Sequence, residues 1–200
     1  MAVKDANVTH PVHPHISARF SPYVFADRPV AARDLASLFE AARWAPSSFN
    51  AQPWRYIVAL RSEPAEFARM LACLDEWNQS WAGAAPVLAL GVACIRPDPD
   101  GEANECAAHD LGAASASLTF EASARGICVH QMAGILPEVA RATFEIPVGA
   151  DPMTALAIGY PAGPERADEP FASRDRAPRE RKPLAEIVFH GRYGSAARGL

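Results

Sequence analysis

A chain of 200 residues, 50% of them hydrophobic, can bury one sizeable core, so a single domain is the default expectation. The net charge of −4, from 23 acidic and 19 basic residues, leaves no electrostatic footprint for a nucleic-acid partner. No apolar run approaches the roughly 20 residues of a membrane span, the longest lying near Ala84 to Ile95, and no export signal marks the N-terminus, so the expected location is the cytoplasm.

Cys73, Cys94, Cys106 and Cys128 are far apart and form no Cys-x-x-Cys pair, so they read as small buried apolar residues. Cys106 and His109 share a helical face but make only two ligands, and no metal site is expected. His10, His13 and His15 stand among prolines in residues 1–18, which read as a flexible arm.

Arg19-Phe20-Ser21-Pro22 follows that arm and leads into Tyr23-Val24-Phe25. Leu35, Leu38, Phe39 and Ala42 then recur at helical spacing and predict a helix over about 31–45 with one buried face. Pro46 ends it, because proline lacks the amide donor and clashes with the preceding turn. The loop beyond carries two hydroxyls, Ser47 and Ser48, and two carboxamides, Asn50 and Gln52. Such uncharged donors and acceptors suit a neutral ligand rich in oxygens and ring nitrogens, and equally they cap and turn a backbone. Pro53 biases Gln52 towards an extended conformation, so the apolar run Arg55 to Leu60 is expected to leave the loop as a strand.

A second helix is expected over about Pro64 to Ala82, with Phe67, Leu71, Leu74 and Trp77 as its apolar stripe. Pro86 to Ile95 reads as a buried strand, favoured over a core helix by the Pro-Asp-Pro-Asp-Gly turn that follows. Residues 102–125 are the most helical stretch. Ala107, Leu111, Ala114, Leu118 and Ala122 lie on related faces, and Gly126 suits the C-terminal cap. Gly112, Ala113, Ala116 and Ser117 keep the remaining surface small, as at a tight core crossing or a subunit contact, and periodicity does not choose between these. Gly126 to Gly134 reads as a buried extended segment before a helix with Pro137 in its first turn. Thr154 to Tyr160 reads as a short buried strand, 162–183 as a proline-rich loop or extended arm, and Leu184 to Phe189 as an edge strand. Trp44, Phe49, Trp54 and Trp81 read as core aromatics first and as walls of a pocket second. Neither a dinucleotide-binding Gly-x-Gly-x-x-Gly after a strand, nor a P-loop, nor a Gly-x-Ser-x-Gly elbow is present.

Ala45-Pro46-Ser47-Ser48-x-Asn50-x-Gln52-Pro53-Trp54 resembles the signature of the FMN-dependent nitroreductase family, and several weaker segments resemble it in the same order. Together they cover about residues 19–192, leaving 1–18 as an arm and 193–200 as a tail. The resemblance implies an α+β fold, with a central, mostly antiparallel sheet flanked by helices in an intertwined homodimer. It implies FMN as the cofactor, NAD(P)H as the donor and an electron-poor acceptor such as a nitroaromatic or quinone, in two half-reactions at one site. Arg19 and Ser21 match the family's Arg-x-Ser pair at the FMN phosphate, and Arg179 and Arg181 match its C-terminal basic pair. Ser47, Ser48 and Asn50 would reach the flavin from the neighbouring subunit, and Pro46 beside them belongs to the implied cofactor-binding set. Asn78 lies where many members contact the flavin, and Gln131, Met132 and Gly134 would line the ring edge, with a main-chain amide of this segment offered to the reactive nitrogen and Gly134 giving the clearance for close approach. Phe20 completes the implied cofactor-binding set.

The flavin itself would carry the chemistry, with no catalytic side chain, although His130 is a candidate proton donor. The chain departs from the family pattern at Tyr23, where a second phosphate-binding Arg is usual, and at Trp81, where larger relatives carry a Lys. Rival readings are a flavin carrier without turnover and a family branch that fragments flavin or removes halogen reductively.

Overall fold

Apolar residues at every position, rather than at alternate ones, require that both faces of a strand be covered. The run at 87–94 meets that requirement inside a four-stranded sheet. The computed structural model describes residues 6–96, 101–197 and 199. Among them the order is α1 (Pro14–Ala18), α2 (Ala32–Arg43), β1 (Trp54–Leu60), α3 (Pro64–Leu71), α4 (Glu76–Ala82), β2 (Val87–Cys94), α5 (Ala107–Ala124), β3 (Cys128–Met132), α6 (Pro137–Phe144), β4 (Ala150–Gly159) and α7 (Phe171–Arg176). Pro97 to Asp100 of the expected turn after β2 lie outside the described residues.

The strands pair β1-β2-β4-β3, every neighbour antiparallel. Leu88 and Leu90 of β2 enter the layer beneath α3, α4 and α6, while Val87 and Ala89 enter the layer beneath α2 and α5. The alternation runs on through Val92 in the first layer and Ala93 in the second, and the register shift at Gly91/Val92 is absorbed by β4, where Met153 is left without a partner between Pro152 and Thr154. The fold is therefore an α+β sandwich of helices on both faces of an antiparallel sheet. Leu111, Leu118, Leu156 and Ile158 on one side and Met70, Leu74, Leu88 and Leu90 on the other are all 2% exposed or less, which identifies two cores rather than one. α5 ends as expected, with Gly126 just beyond it at φ +66, a left-handed conformation that glycine adopts without strain.

Four expectations are corrected. The single helix over 64–82 is two. Asp75 breaks it by accepting the Asn78 amide at 2.8 Å as the cap of α4, and the Cys73 carbonyl turns away to accept from the Leu136 amide at 2.7 Å. The entry segment is not wholly irregular, since α1 packs on α5 and the Ser123 hydroxyl donates to the His15 carbonyl. Residues 162–183 are not simply an arm. They hold a 3-10 turn at Pro164–Arg166 and α7, whose first turn is secured by the Glu169 carboxylate accepting from the Ser173 amide at 3.0 Å. Leu184 to Phe189 is not an edge strand in this chain. The amides of Glu186, Ile187 and Val188 bond back to Pro183 and Leu184, so the backbone satisfies itself in a turn, and Phe189 bridges to Ala196.

Candidate functional site

The loop between α2 and β1 is held in an unusual shape. Phe49, Asn50 and Gln52 all have φ near +50°, where a side chain crowds the backbone, and such conformations persist only when neighbours over-determine them. The constraints are visible. The Ser48 amide donates to Asp110 Oδ2 at 3.0 Å, the Gln52 amide to Ser47 Oγ at 3.0 Å, and Arg55 to the Gln52 carbonyl at 2.9 Å. Gln52 is thus left-handed rather than extended, because bonds on both sides of it outweigh the bias from Pro53. Asp110 is almost fully buried in the first turn of α5 and also meets His109 Nδ1 at 3.2 Å.

From this scaffold the Asn50 side chain and the whole of Phe49 face outward, Phe49 being completely exposed. Pro46 is exposed as well, while Ser47 and Ser48 are half-buried. Trp44 is 74% exposed, so it and Phe49 are not core aromatics, whereas Trp54 and Trp81 are.

A second group of residues gathers at the start of β3. Arg19 donates to Ser21 Oγ at 3.2 Å and is part-buried, with Phe20 half-buried beside it. Burial first, then the nearby charges of Arg179 and Arg181, lowers the Arg19 pKa, so three guanidinium groups from opposite ends of the chain share one place. Arg179 donates to the Ser17 carbonyl and Arg181 to the Glu180 carbonyl. Burial also pushes the neighbouring Cys128 thiol up to about 12, so it stays protonated. Guanidinium groups near one another offer forked donors whose geometry suits the oxygens of an anion.

β3 continues from this cluster. Gln131 turns to the α5 side, donating to the Ser115 carbonyl at 3.3 Å and Thr119 Oγ1 at 3.1 Å, while Met132 is buried on the opposite face. Gly134 is required by packing within the chain itself. A Cβ there would lie 2.1 Å from Asp75 Oδ2 and 2.4 Å from Asn78 Nδ2. Asn78 is buried, its amide donating to the Gly134 carbonyl at 3.0 Å and its oxygen accepting from Trp81 Nε1 at 3.2 Å, so it ties α4 to the end of β3.

His130 packs between Trp81 and Tyr23, with ring centroids 4.5 and 4.7 Å away, and its Nδ1 lies 2.9 Å from the Pro22 carbonyl. A carbonyl only accepts, so Nδ1 carries the proton and spends it there. Burial lowers the His130 pKa, outweighing the opposing effect of that bond and of Asp175. A neutral ring whose proton is already committed is poorly suited to the donor role. Because the folded chain binds this proton less readily than the unfolded one, stability is expected to fall as pH drops through about 6.5. Melting temperatures between pH 7.5 and 5 should decline less steeply for His130→Phe than for the parent chain.

The two groups of residues stand at opposite corners of the sheet. Trp54, where the loop enters β1, is level with Ala93 and Asp151, whereas Cys128 is level with Gly159 at the far end. Three strand spacings and about seven residues of strand separate the corners, roughly 27 Å. α5 gives the same answer, because Asp110 at the loop and Ala124 before β3 are separated by about 21 Å of helix. Sequence reading found both groups but missed Asp110 and Asp175, which hold them. Asp110 is legible as an acid in the first turn of a helix, but the bonds from Asp175 to Tyr23 and Val24 join residues more than 150 apart and leave no local signal.

An antiparallel sheet sandwiched by helices, with arginines at one corner and an outward polar loop at another, defines an α+β protein. The nitroreductase family profile matches residues 16–160, and the chain belongs to that family. A Streptomyces coelicolor protein provisionally named NADH dehydrogenase/NAD(P)H nitroreductase is 32% identical over 165 residues, covering 73% of this chain and 81% of its own. An uncharacterized 15.4 kDa protein of Mycolicibacterium smegmatis is 41% identical over 126 residues, covering 62% and 83%. The crystal structure of "the oxidoreductase containing FMN" superposes with a TM-score of 0.90 at 30% identity, over 98% of this chain and 99% of that one. The fold is thus nitroreductase-like. Among the described residues no three His, Cys, Asp or Glu side chains group as metal ligands, and no helix is long and apolar enough to cross a membrane.

Proposed function

We propose that the chain is an FMN-dependent oxidoreductase that takes electrons from NAD(P)H and passes them to nitroaromatic, quinone or similar electron-poor acceptors in ping-pong fashion. The observation that carries this reading is geometric: Arg19 donates to Ser21 Oγ at 3.2 Å while Arg179, from the other end of the chain, donates to the carbonyl of Ser17, two residues before Arg19. A phosphate dianion offers oxygens to every member of that cluster and relieves its mutual repulsion. A flavin anchored there and lying along β3 would meet Gln131, Met132 and Gly134 with its ring. When bound, FMN supplies the electron-transfer chemistry, and the protein supplies binding and orientation.

The loop carrying Pro46, Ser47, Ser48 and Asn50 is a sheet diagonal away from the phosphate corner. One flavin that meets both groups therefore draws them from two chains, so the proposed assembly is a homodimer in which each loop completes its partner's site. The Asp110 bond and the left-handed backbone preset the loop's outward shape before any partner arrives, which lowers the ordering cost of assembly. Reduced pyridine nucleotide is a cytoplasmic metabolite, so the proposed location is the cytoplasm.

Anaerobic addition of NADH or NADPH to the flavin-loaded protein should bleach its visible absorbance, and a nitroaromatic or quinone should restore it. A spectrum that does not change with either nucleotide would contradict the proposal.

A further inference from the structure

We infer that Asp175 is a positioning residue that latches the two arginine-bearing segments of the phosphate site together. The inference rests on the phosphate reading given above and extends it to a residue that touches no ligand. Asp175 Oδ1 accepts from the Tyr23 amide at 2.9 Å, and Oδ2 accepts from the amides of Tyr23 at 3.2 Å and Val24 at 3.0 Å. Both carboxylate oxygens are thereby engaged by main chain that begins four residues after Arg19 and two after Ser21. On its own side, Asp175 precedes Arg179 by four residues and Arg181 by six. The carboxylate therefore stands at the crossing of two strands of chain, each of which delivers its cations just beyond that crossing. Phe171 on the same short helix packs against Tyr23 at 5.7 Å between ring centroids, so α7 adds an apolar contact to the latch.

A carboxylate at the same corner as these arginines invites a different explanation, that it is merely their counter-charge. Asp175 acts electrostatically on His130 and on Cys128, so its charge is felt at this corner. The two explanations differ in sign. Removing a counter-charge leaves the arginines freer to attract phosphate and tightens FMN, whereas removing a latch lets the two segments part and weakens FMN. Bonds to charged acceptors are among the stronger ones, and here they add to the Arg179 bond on the Ser17 carbonyl and the Ala162 amide bond on the Val24 carbonyl in joining the two segments.

The test is the affinity of Asp175→Ala and Asp175→Asn for FMN and for riboflavin, which lacks the phosphate, measured by flavin fluorescence quenching on the full chain. Asp175→Ala should raise the FMN dissociation constant by 10-fold or more and leave that for riboflavin within about 2-fold. Asp175→Asn keeps one acceptor oxygen and should fall between it and the parent, which also covers failure of the alanine variant to fold. Tighter or unchanged FMN binding would overturn the inference, as would equal losses for FMN and riboflavin. If Arg19→Ala also leaves FMN affinity unchanged, the phosphate reading itself has failed. If only the Asp175 variants do so, the latch alone has failed.

Discussion

Arg19→Ala and Arg181→Ala are each expected to weaken FMN binding by roughly 10- to 150-fold, because a hydrogen bond from a charged donor contributes about 1.5–3 kcal/mol. Riboflavin affinity should be unaffected, since the lost contact is with phosphate. The flavin-free protein provides a second signature. Arg19 is held below its ordinary pKa partly by Arg179 and Arg181, so its removal relieves repulsion, and the melting temperature of flavin-free Arg19→Ala should not fall. Titration of the variants by fluorescence quenching decides the matter, and unchanged FMN affinity in both would place the phosphate elsewhere.

Gly134→Ala is expected to lower stability by about 2–4 kcal/mol. The added methyl would stand at bonding distance from Asp75 and Asn78, and neither can yield cheaply. Asp75 caps α4 through Oδ1, and Asn78 is buried with its amide on the Gly134 carbonyl, so the methyl both overpacks the site and strains the cap. In a chain of this length that corresponds to a fall of roughly 5–15 °C in the melting temperature, measurable by calorimetry of the flavin-free protein. A variant as stable as the parent would mean that the end of β3 can move away from α4. Performing the measurement without flavin separates this packing role from any contact the Gly134 amide makes with a ring.

Much of the fold was legible because burial writes itself into local patterns. The unbroken apolar run of β2 signals two covered faces, and the alanine- and leucine-rich repeat of α5 signals a helix against one of them. Pro46 and Gly126 mark helix ends for stereochemical reasons that hold in any context. What escaped the sequence depends on contacts between distant segments. The break between α3 and α4 comes from Asp75 and from Leu136, more than sixty residues on, and the order of 162–183 comes from α7 docking on Tyr23. Leu184 to Phe189 alternates like a strand, yet a strand exists only where a sheet edge pairs with it. At the site, the types of residue were readable in Arg19, Ser21, Ser47, Ser48, Asn50, Arg179 and Arg181. Their division between two corners was not, since only strand order and register reveal it.

His130 and Gly134 show the limit of reading roles from motif position. His130 looks like an acid in sequence and is a neutral ring with its proton spent on Pro22. Gly134 looks like a clearance for ligand, and the structure adds a reason that the motif does not carry, clearance for Asp75 and Asn78 of its own chain.

The most direct measurement is the flavin content of the protein purified in excess FMN, read by absorbance alongside its mass in solution by light scattering. One FMN per chain in a particle of two chains is the expected result, because in the proposed assembly each flavin draws on the arginine corner of one copy and the loop of the other. A single chain that retains FMN tightly, or a pair of chains that binds none, would contradict it.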